Sequence, residues 1–345
     1  MASSNDLAPF QGPYFKQLLR SQRLRAPRMT TDVGGQTGII IGGNGGVALD
    51  SVHILLRYGI SRLILTVRNP QKFEPTIASL RKSYPSSAID VWALDLQSYS
   101  SIEAFVDRCK TLDRIDFVNI SAGIILPNFT INEATRHEVV FQVNYLSTVY
   151  LALLLLPVLR ERHSPKKPSI LTMVSSGLAY VAAFPEQKAP SLFAAFDDPK
   201  NWSTSFGGDR YSTAKLMLLM FLVKVKDYAN PDEVVVNVTD PGFMRAVGLD
   251  QHMPLIARFF VWLLRVAIGR SAEDGAMTFV DATVVKGKES HGSFLYNWKI
   301  APFPASMYQS EGRSLIDKVW DETLHELEFA RPQDILNAVK GKTTE

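Results

Sequence analysis

Thr37-Gly38-Ile39-Ile40-Ile41-Gly42-Gly43-Asn44-Gly45-Gly46-Val47-Ala48 is the stretch that decides the fold. The β-branched run predicts a buried strand over Thr37–Ile41, and the glycines let the backbone turn sharply into a helix that begins at about Gly45 or Gly46. A helix starting directly after such a turn offers unpaired N–H groups and a partial positive charge, which suits a pyrophosphate. Gly42, Asn44, Gly46 and Val47 are therefore candidate cofactor contacts. A glycine-rich turn can also be only a tight turn, so the loop needs support from the rest of the chain.

Outward from this loop, short β-branched runs alternate with amphipathic stretches, the pattern of a parallel sheet covered by helices on both faces. The strand candidates are Thr37–Ile41, Arg62–Val67, Ile89–Leu94, Ile115–Ile120, Ser169–Val174, Val234–Val238 and Gly292–Leu295. Ala48, Val52, Leu55 and Leu56 mark one apolar helix face. We expect an α/β fold with one doubly wound Rossmann-type domain over residues 36–345 and a mostly parallel sheet of about seven strands, preceded by an N-terminal arm over 1–35. Two segments fit the alternation poorly. Residues 177–209, with Phe184, Phe193, Phe196, Trp202 and Phe206, read as a substrate insertion, and residues 243–270 as a lid. Both follow strand ends, where ligands bind in open α/β sheets. The aromatics of the insertion suit either a pocket wall or a cover for the sheet edge.

The 345 residues are 46% hydrophobic and 21% charged, enough to bury a full core, and the net charge of +3 is too mild to point to nucleic acid. Lys16, Arg20, Arg23, Arg25 and Arg28 gather much of the basic excess in what reads as a solvated, loosely packed arm. Cys109 is the only cysteine, which excludes an intramolecular disulfide and a cysteine-rich metal site and fits a reducing compartment. The six histidines lack the spacing of a metal site, and no metal is expected. Without an apolar leader, and with its longest apolar run (Leu151 to Leu159) too short to span a bilayer, the chain is expected to be cytoplasmic.

The second strand ends Leu65-Thr66-Val67-Arg68-Asn69, where a dinucleotide fold keeps the residue that reads the adenosine ribose. An NAD site wants a carboxylate there. Val67 followed by Arg68 leaves nothing to repel a 2′-phosphate and supplies a guanidinium to pair with it, so NADP is the expected cofactor. A solvated charge at a strand end is the plainer alternative. Asp95 and Leu96, after the third strand, are set to meet the adenine edge, although Asp95 is equally suited to capping the next turn.

Tyr211-Ser212-Thr213-Ala214-Lys215 opens an apolar helix, and the i, i+4 spacing puts phenol and ammonium on one face. A free phenol, with a pKa of about 10, exchanges protons poorly near neutrality, and a neighbouring cation is expected to lower it. Upstream, Ile170 to Ser176 is a strand ending in Ser175-Ser176.

The order Gly42 to Gly46, Asp95, Ala122-Gly123, Asn144, Ser176, Tyr211, Lys215, Pro241-Gly242 resembles the short-chain dehydrogenase/reductase superfamily from about residue 36 to 300. The nearest subgroup is the retinol-dehydrogenase-like and fungal secondary-metabolite reductases, which share the N-terminal segment over 14–30, Val67-Arg68-Asn69 and Ser290-His291-Gly292. The resemblance implies that Tyr211 is the general acid in reduction and the base in oxidation. It makes Lys215 the group that holds the nicotinamide ribose, Ser176 the one that polarises the substrate oxygen, and Asn144 the support of a water-linked proton path. Ala122, Gly123, Pro241 and Gly242 become cofactor contacts alongside Tyr211 and Lys215. The chain departs from the pattern at Ile41, Ala48 and Ile120-Ser121, where Thr, Gly and a pair of Asn are usual.

The resulting expectation is an NADPH-dependent enzyme that interconverts a ketone or aldehyde and an alcohol on a bulky apolar small molecule, acting in secondary-metabolite biosynthesis. Alcohol oxidation with NADP and a non-catalytic dinucleotide sensor are the alternatives. Leu255 to Ile268 is apolar nearly all round, broken by Arg258 and Arg265. It suits a lid or a subunit interface better than a membrane-surface contact, because interfacial helices carry a broader charged face. Both a monomer and a homo-oligomer fit.

Overall fold

A computed structural model describes residues 3–10, 12–202, 208–245 and 255–340. Its strands are β1 Thr37–Ile41, β2 Arg62–Val67, β3 Ala88–Ala93, β4 Phe117–Ile120, β5 Ser169–Val174, β6 Val234–Asp240, β7 Phe294–Tyr296 and β8 Lys299–Ala301. They form one sheet in the order β3-β2-β1-β4-β5-β6-β7-β8, parallel throughout except for the antiparallel β7–β8 pair. The expected seven strands are present, and β8 is an eighth. It is three residues long and follows a two-residue turn, Asn297-Trp298, with both residues at positive φ (53° and 60°). Such a turn normally advertises itself with glycine, and Trp298 hides it.

The near-continuous aliphatic strands β1, β2, β4, β5 and β6 are buried on both faces, as inner parallel strands are. In β1, Ile39 and Ile41 join one apolar cluster and Ile40 the other, so successive side chains feed the two layers in turn. The helices of eight or more residues among the described residues are α1 Tyr14–Ser21, α2 Gly46–Arg57, α3 Pro70–Ser83, α4 Tyr99–Cys109, α5 Val139–Arg162, α6 Gly208–Val225, α7 Leu255–Ile268, α8 Ala272–Val280, α9 Ser310–Glu326 and α10 Pro332–Lys340. α2 packs on α8 in one layer, and α5 and α6 receive α4, α9 and α10 in the other. α5 is long and apolar enough to cross a membrane, but 94% of its apolar window is buried inside the fold, where it serves as the core helix. It contains a π-helical turn, Gln142–Leu146.

The N-terminal arm differs from a loosely packed segment. Its five cations are exposed, yet Ser21, Met29 and Val33 are buried. The Ser4 hydroxyl accepts the Phe294 N–H at 2.8 Å, the Gln22 amide donates to the Phe243 carbonyl, and Asp274 accepts the Ala26 N–H at 2.9 Å. Ser4, Ser21, Gln22, Ala26, Met29 and Val33 carry this packing, and the cations lie on its outer side, where Arg25 pairs with Asp274 at 2.9 Å. Within the insertion, Phe184, Phe193 and Phe196 are buried, the last two against Phe141. These three cover the core, whereas Trp202 is half-buried against Phe129. Phe206 and residues 246–254 of the expected lid lie outside the described residues.

Candidate active site

The residues singled out from sequence converge on the carboxyl ends of the parallel strands, around the point where strand order reverses between β1 and β4. Gly42, directly after β1, has φ +89°, and a Cβ there would stand 2.8 Å from the Ala122 backbone. The glycine loop therefore rests on the segment that follows β4. Ser121 fastens the contact: its hydroxyl donates to the Ile41 carbonyl at 2.7 Å and its N–H to the same oxygen at 3.0 Å. α2 begins at Gly46, with Val47 and Ala48 buried and Asn44 and Gly45 exposed in front of it. This cradle of Cβ-free backbone ahead of a helix N-terminus fits the pyrophosphate of a dinucleotide.

Arg68 is exposed at the end of β2 and makes no hydrogen bond or ion pair among the described residues, so its guanidinium is available to a ligand. Asp95 is partly committed, because its Oδ1 accepts the Gln97 N–H at 3.0 Å, the turn-capping use that the sequence left open. Leu96 beside it is buried. Gly123 lies where an added Cβ would fall 2.7 Å from Asn144 Oδ1 and 3.6 Å from Lys215 Nζ, so the end of β4 meets both candidate catalytic groups. Asn144 sits in the π turn of α5, and its amide is fully engaged. Nδ2 donates to the Ile124 and Val140 carbonyls, both at 2.8 Å, and Oδ1 accepts the Ile124 N–H at 3.1 Å.

Tyr211 and Lys215 stand one turn apart near the start of α6, both buried. The Ser176 side chain lies beside the Tyr211 phenol, close enough to favour its ionised form. Ser176 also accepts the Leu178 N–H at 3.2 Å, while Ser175 turns the other way and donates to the Lys215 carbonyl at 2.7 Å. Lys215 Nζ donates to the Val174 carbonyl at 2.8 Å. The lowered phenol expected from the lysine is outweighed here. Burial drives the Tyr211 phenol well above its usual value, with Asp240 adding to the rise and Ser176 opposing it. The same burial pushes the Lys215 ammonium down to about 7. A fully desolvated pair favours its neutral forms, so the phenol keeps its proton.

Four neighbours of the site escaped the sequence reading. Arg210, just before Tyr211, is buried 3.1 Å from Glu186 and 3.9 Å from Glu138 and lies over the Phe196 ring, which anchors the start of α6. Asp240, the last residue of β6, is buried near the backbone N–H groups of Gly177 and Gly242, between the loop after Ser176 and Pro241-Gly242. Arg270 is buried and donates to the Pro241 carbonyl at 3.1 Å, to the Ser21 carbonyl at 3.2 Å and to the Asn297 side chain. Tyr14, on α1, reaches Gly177 so closely that a Cβ there would fall 2.3 Å from its hydroxyl oxygen. Asp240 beside Pro241-Gly242 was the one sequence signal available, since a carboxylate inside an aliphatic strand demands partners.

Comparison with known proteins agrees with this geometry. The family model for short chain dehydrogenase matches residues 36–184. A short chain dehydrogenase/reductase of Annulohypoxylon moriforme, mfmJ, is 40% identical over 99% of this chain and 100% of its own length. The short chain dehydrogenase virL of Hypocrea virens is 35% identical over 89% of each chain. Among solved structures, the NADPH-dependent 3-quinuclidinone reductase of Rhodotorula rubra shares the fold at 16% identity, with a TM-score of 0.57 over 87% of this chain and 98% of that one. The chain belongs to the short-chain dehydrogenase/reductase family, whose members bind a nicotinamide dinucleotide and a small-molecule substrate.

Proposed function

We propose that this protein is an NADPH-dependent carbonyl reductase for a bulky apolar small molecule. The observation that carries the proposal is the placement of Ser176 beside the Tyr211 phenol with Lys215 one turn along the same helix. When bound, the nicotinamide supplies a hydride to the carbonyl carbon. Gly42, Asn44, Gly46 and Val47 would hold the pyrophosphate, Arg68 the 2′-phosphate, and Asp95 and Leu96 the adenine. Ala122, Gly123, Pro241 and Gly242 would form the floor and far wall of the nicotinamide end.

Negative charge grows on the substrate oxygen during reduction and must be met by a proton as it develops. Tyr211 holds that proton on its hydroxyl oxygen, because burial keeps the phenol neutral until such charge appears. Ser176 donates a second hydrogen bond to the same oxygen. Lys215, when protonated, stabilises the phenolate left behind. Asn144 fixes the backbone at Ile124 and thereby the Gly123 turn beside the lysine.

A phenol held in its protonated form supports reduction over oxidation as the main direction. Leu178 and Val181, 40% and 54% exposed just beyond Ser176, support an apolar substrate. Purified protein with NADPH, screened against bulky ketones and aldehydes by loss of nicotinamide absorbance, tests the reading. Tight NADPH binding with no turnover across the panel would favour a dinucleotide sensor instead.

A further inference from the structure

On α7, Phe259, Trp262 and Val266 are each 54% exposed, and Leu263 and Leu264 are each 44% exposed. Phe259, Trp262, Leu263 and Val266 stand at i, i+3, i+4 and i+7, a continuous stripe, and the Phe259 and Trp262 rings stack at 6.0 Å. An apolar helix face of this size signals a partner. Alone, α7 has too few charges for a lipid interface, but it does not stand alone. The Gln22 amide, one residue beyond α1, donates to the Ile268 carbonyl at 3.3 Å, so the arm adjoins the end of α7.

The arm brings more of the same chemistry. Phe15 and Leu24 are 57% and 48% exposed, and Lys16, Arg20, Arg23, Arg25 and Arg28 are all exposed around them. Residues 12–31 and 255–268 contain these five cations together with Arg258 and Arg265, and neither stretch has an Asp or Glu. The acids that follow, Glu273 and Asp274, are paired with Arg57 and Arg25.

We propose that the face built from α1 and α7 docks on an anionic lipid bilayer. The aromatic stripe enters the headgroup boundary and the arm's cations meet lipid phosphates and carboxylates. Charge decides between this occupant and a second copy of the chain. A two-fold contact would press this cationic face against itself, whereas an anionic surface complements it. The location adds a consequence. α1 sets Tyr14 against Gly177, next to Ser176, so the docked face borders the reaction site and a membrane-dissolved apolar molecule would have a short path to it.

Exposure and charge carry this proposal, and its test reads lipid binding whatever the outcome for turnover. The full-length chain is floated with phosphatidylcholine vesicles made with and without phosphatidylserine. Flotation should require phosphatidylserine and weaken in high salt. Charge reversal by R20E with R23E should weaken it by roughly tenfold or more, and W262S should also weaken it, each with the far-UV circular dichroism of the native chain. Failure of the native chain to float, equal flotation on neutral vesicles, or flotation unchanged by both sets of substitutions would overturn the proposal. So would a concentration-dependent dimer in light scattering that W262S abolishes, since the stripe would then belong to a second copy.

Discussion

Lys215 Nζ lies 5.4 Å from the centroid of the Tyr211 ring and is bonded at 2.8 Å to the Val174 carbonyl. The lysine thus has one neutral acceptor and an aromatic face to offset complete burial, and its ammonium is pushed down to about 7. Its charge is needed when Tyr211 gives up a proton, because the ammonium then faces a phenolate. Reductive turnover should therefore fall as pH rises through about 7. Lys215→Met should remove that limb and weaken cofactor binding as well. Tyr211→Phe should keep the fold and NADPH affinity while lowering turnover by at least ~10²-fold, the lower range for a lost general acid. Near-normal turnover in the Phe variant would assign the proton to another group.

Arg68 is exposed and makes no polar contact among the described residues, which leaves its guanidinium free for a 2′-phosphate. NADPH should bind more tightly than NADH by about tenfold or more, as a charge-assisted bond allows, and Arg68→Ala should narrow the gap. Fluorescence titration of both cofactors measures this directly. Equal affinities in the native chain would show that Arg68 is only a solvated strand-end charge.

The glycine cradle and the helix that carries Tyr211 and Lys215 are legible in the sequence because their information is local. Four glycines in five residues and a Tyr/Lys pair at i, i+4 each fix a geometry within two turns of chain. Arg270 shows what stays hidden. Its partner Ser21 is 249 residues away, and no periodicity announces that a lone arginine will bury itself beneath a β-turn. The same arginine explains the missed strand. Its guanidinium lies 4.8 Å from the Trp298 ring centroid and bonds Asn297, so tertiary contacts hold the positive φ that glycine usually supplies. The insertion aromatics were ambiguous for a related reason: Phe193 and Phe196 find their place only through Phe141, on a distant helix.

His137 links that insertion to α9, with Nδ1 2.8 Å from Asp197 and Nε2 3.0 Å from Glu326. Burial alone would lower the imidazole, but the hydrogen bonds to the two carboxylates outweigh it and raise it from 6.5 to about 9. A raised value means that the protonated form is bound more tightly in the folded state. The contribution is complete below 6.5 and is lost as pH rises through about 9. At about 1.4 kcal/mol per pH unit it amounts to at most about 3 kcal/mol. Thermal melts should show Tm declining over this window, and His137→Gln should be less stable at pH 6 and lack the decline. A native Tm that is flat across the window would show that the imidazole is not charged in the fold.

Asp240 stands within electrostatic reach of Tyr211 as a buried carboxylate near the Gly177 and Gly242 N–H groups. Burial pushes its own pKa upward, while the Arg270 guanidinium and those two N–H groups pull it back. Its charge contributes, after burial, to holding the Tyr211 phenol above its usual value. Asp240→Asn keeps an oxygen for the backbone N–H groups and removes the charge, so the phenol should lose its proton more readily. Alcohol oxidation needs Tyr211 as a base, and its rate rises with pH as the phenolate forms. The rising limb should therefore move to lower pH in the Asn variant, and reduction should lose rate at high pH earlier than in the native enzyme. A carboxylate that only fastens two loops would change kcat or stability without moving either limb. Superimposable pH profiles would mean that Asp240 is already protonated and has no electrostatic hold on Tyr211.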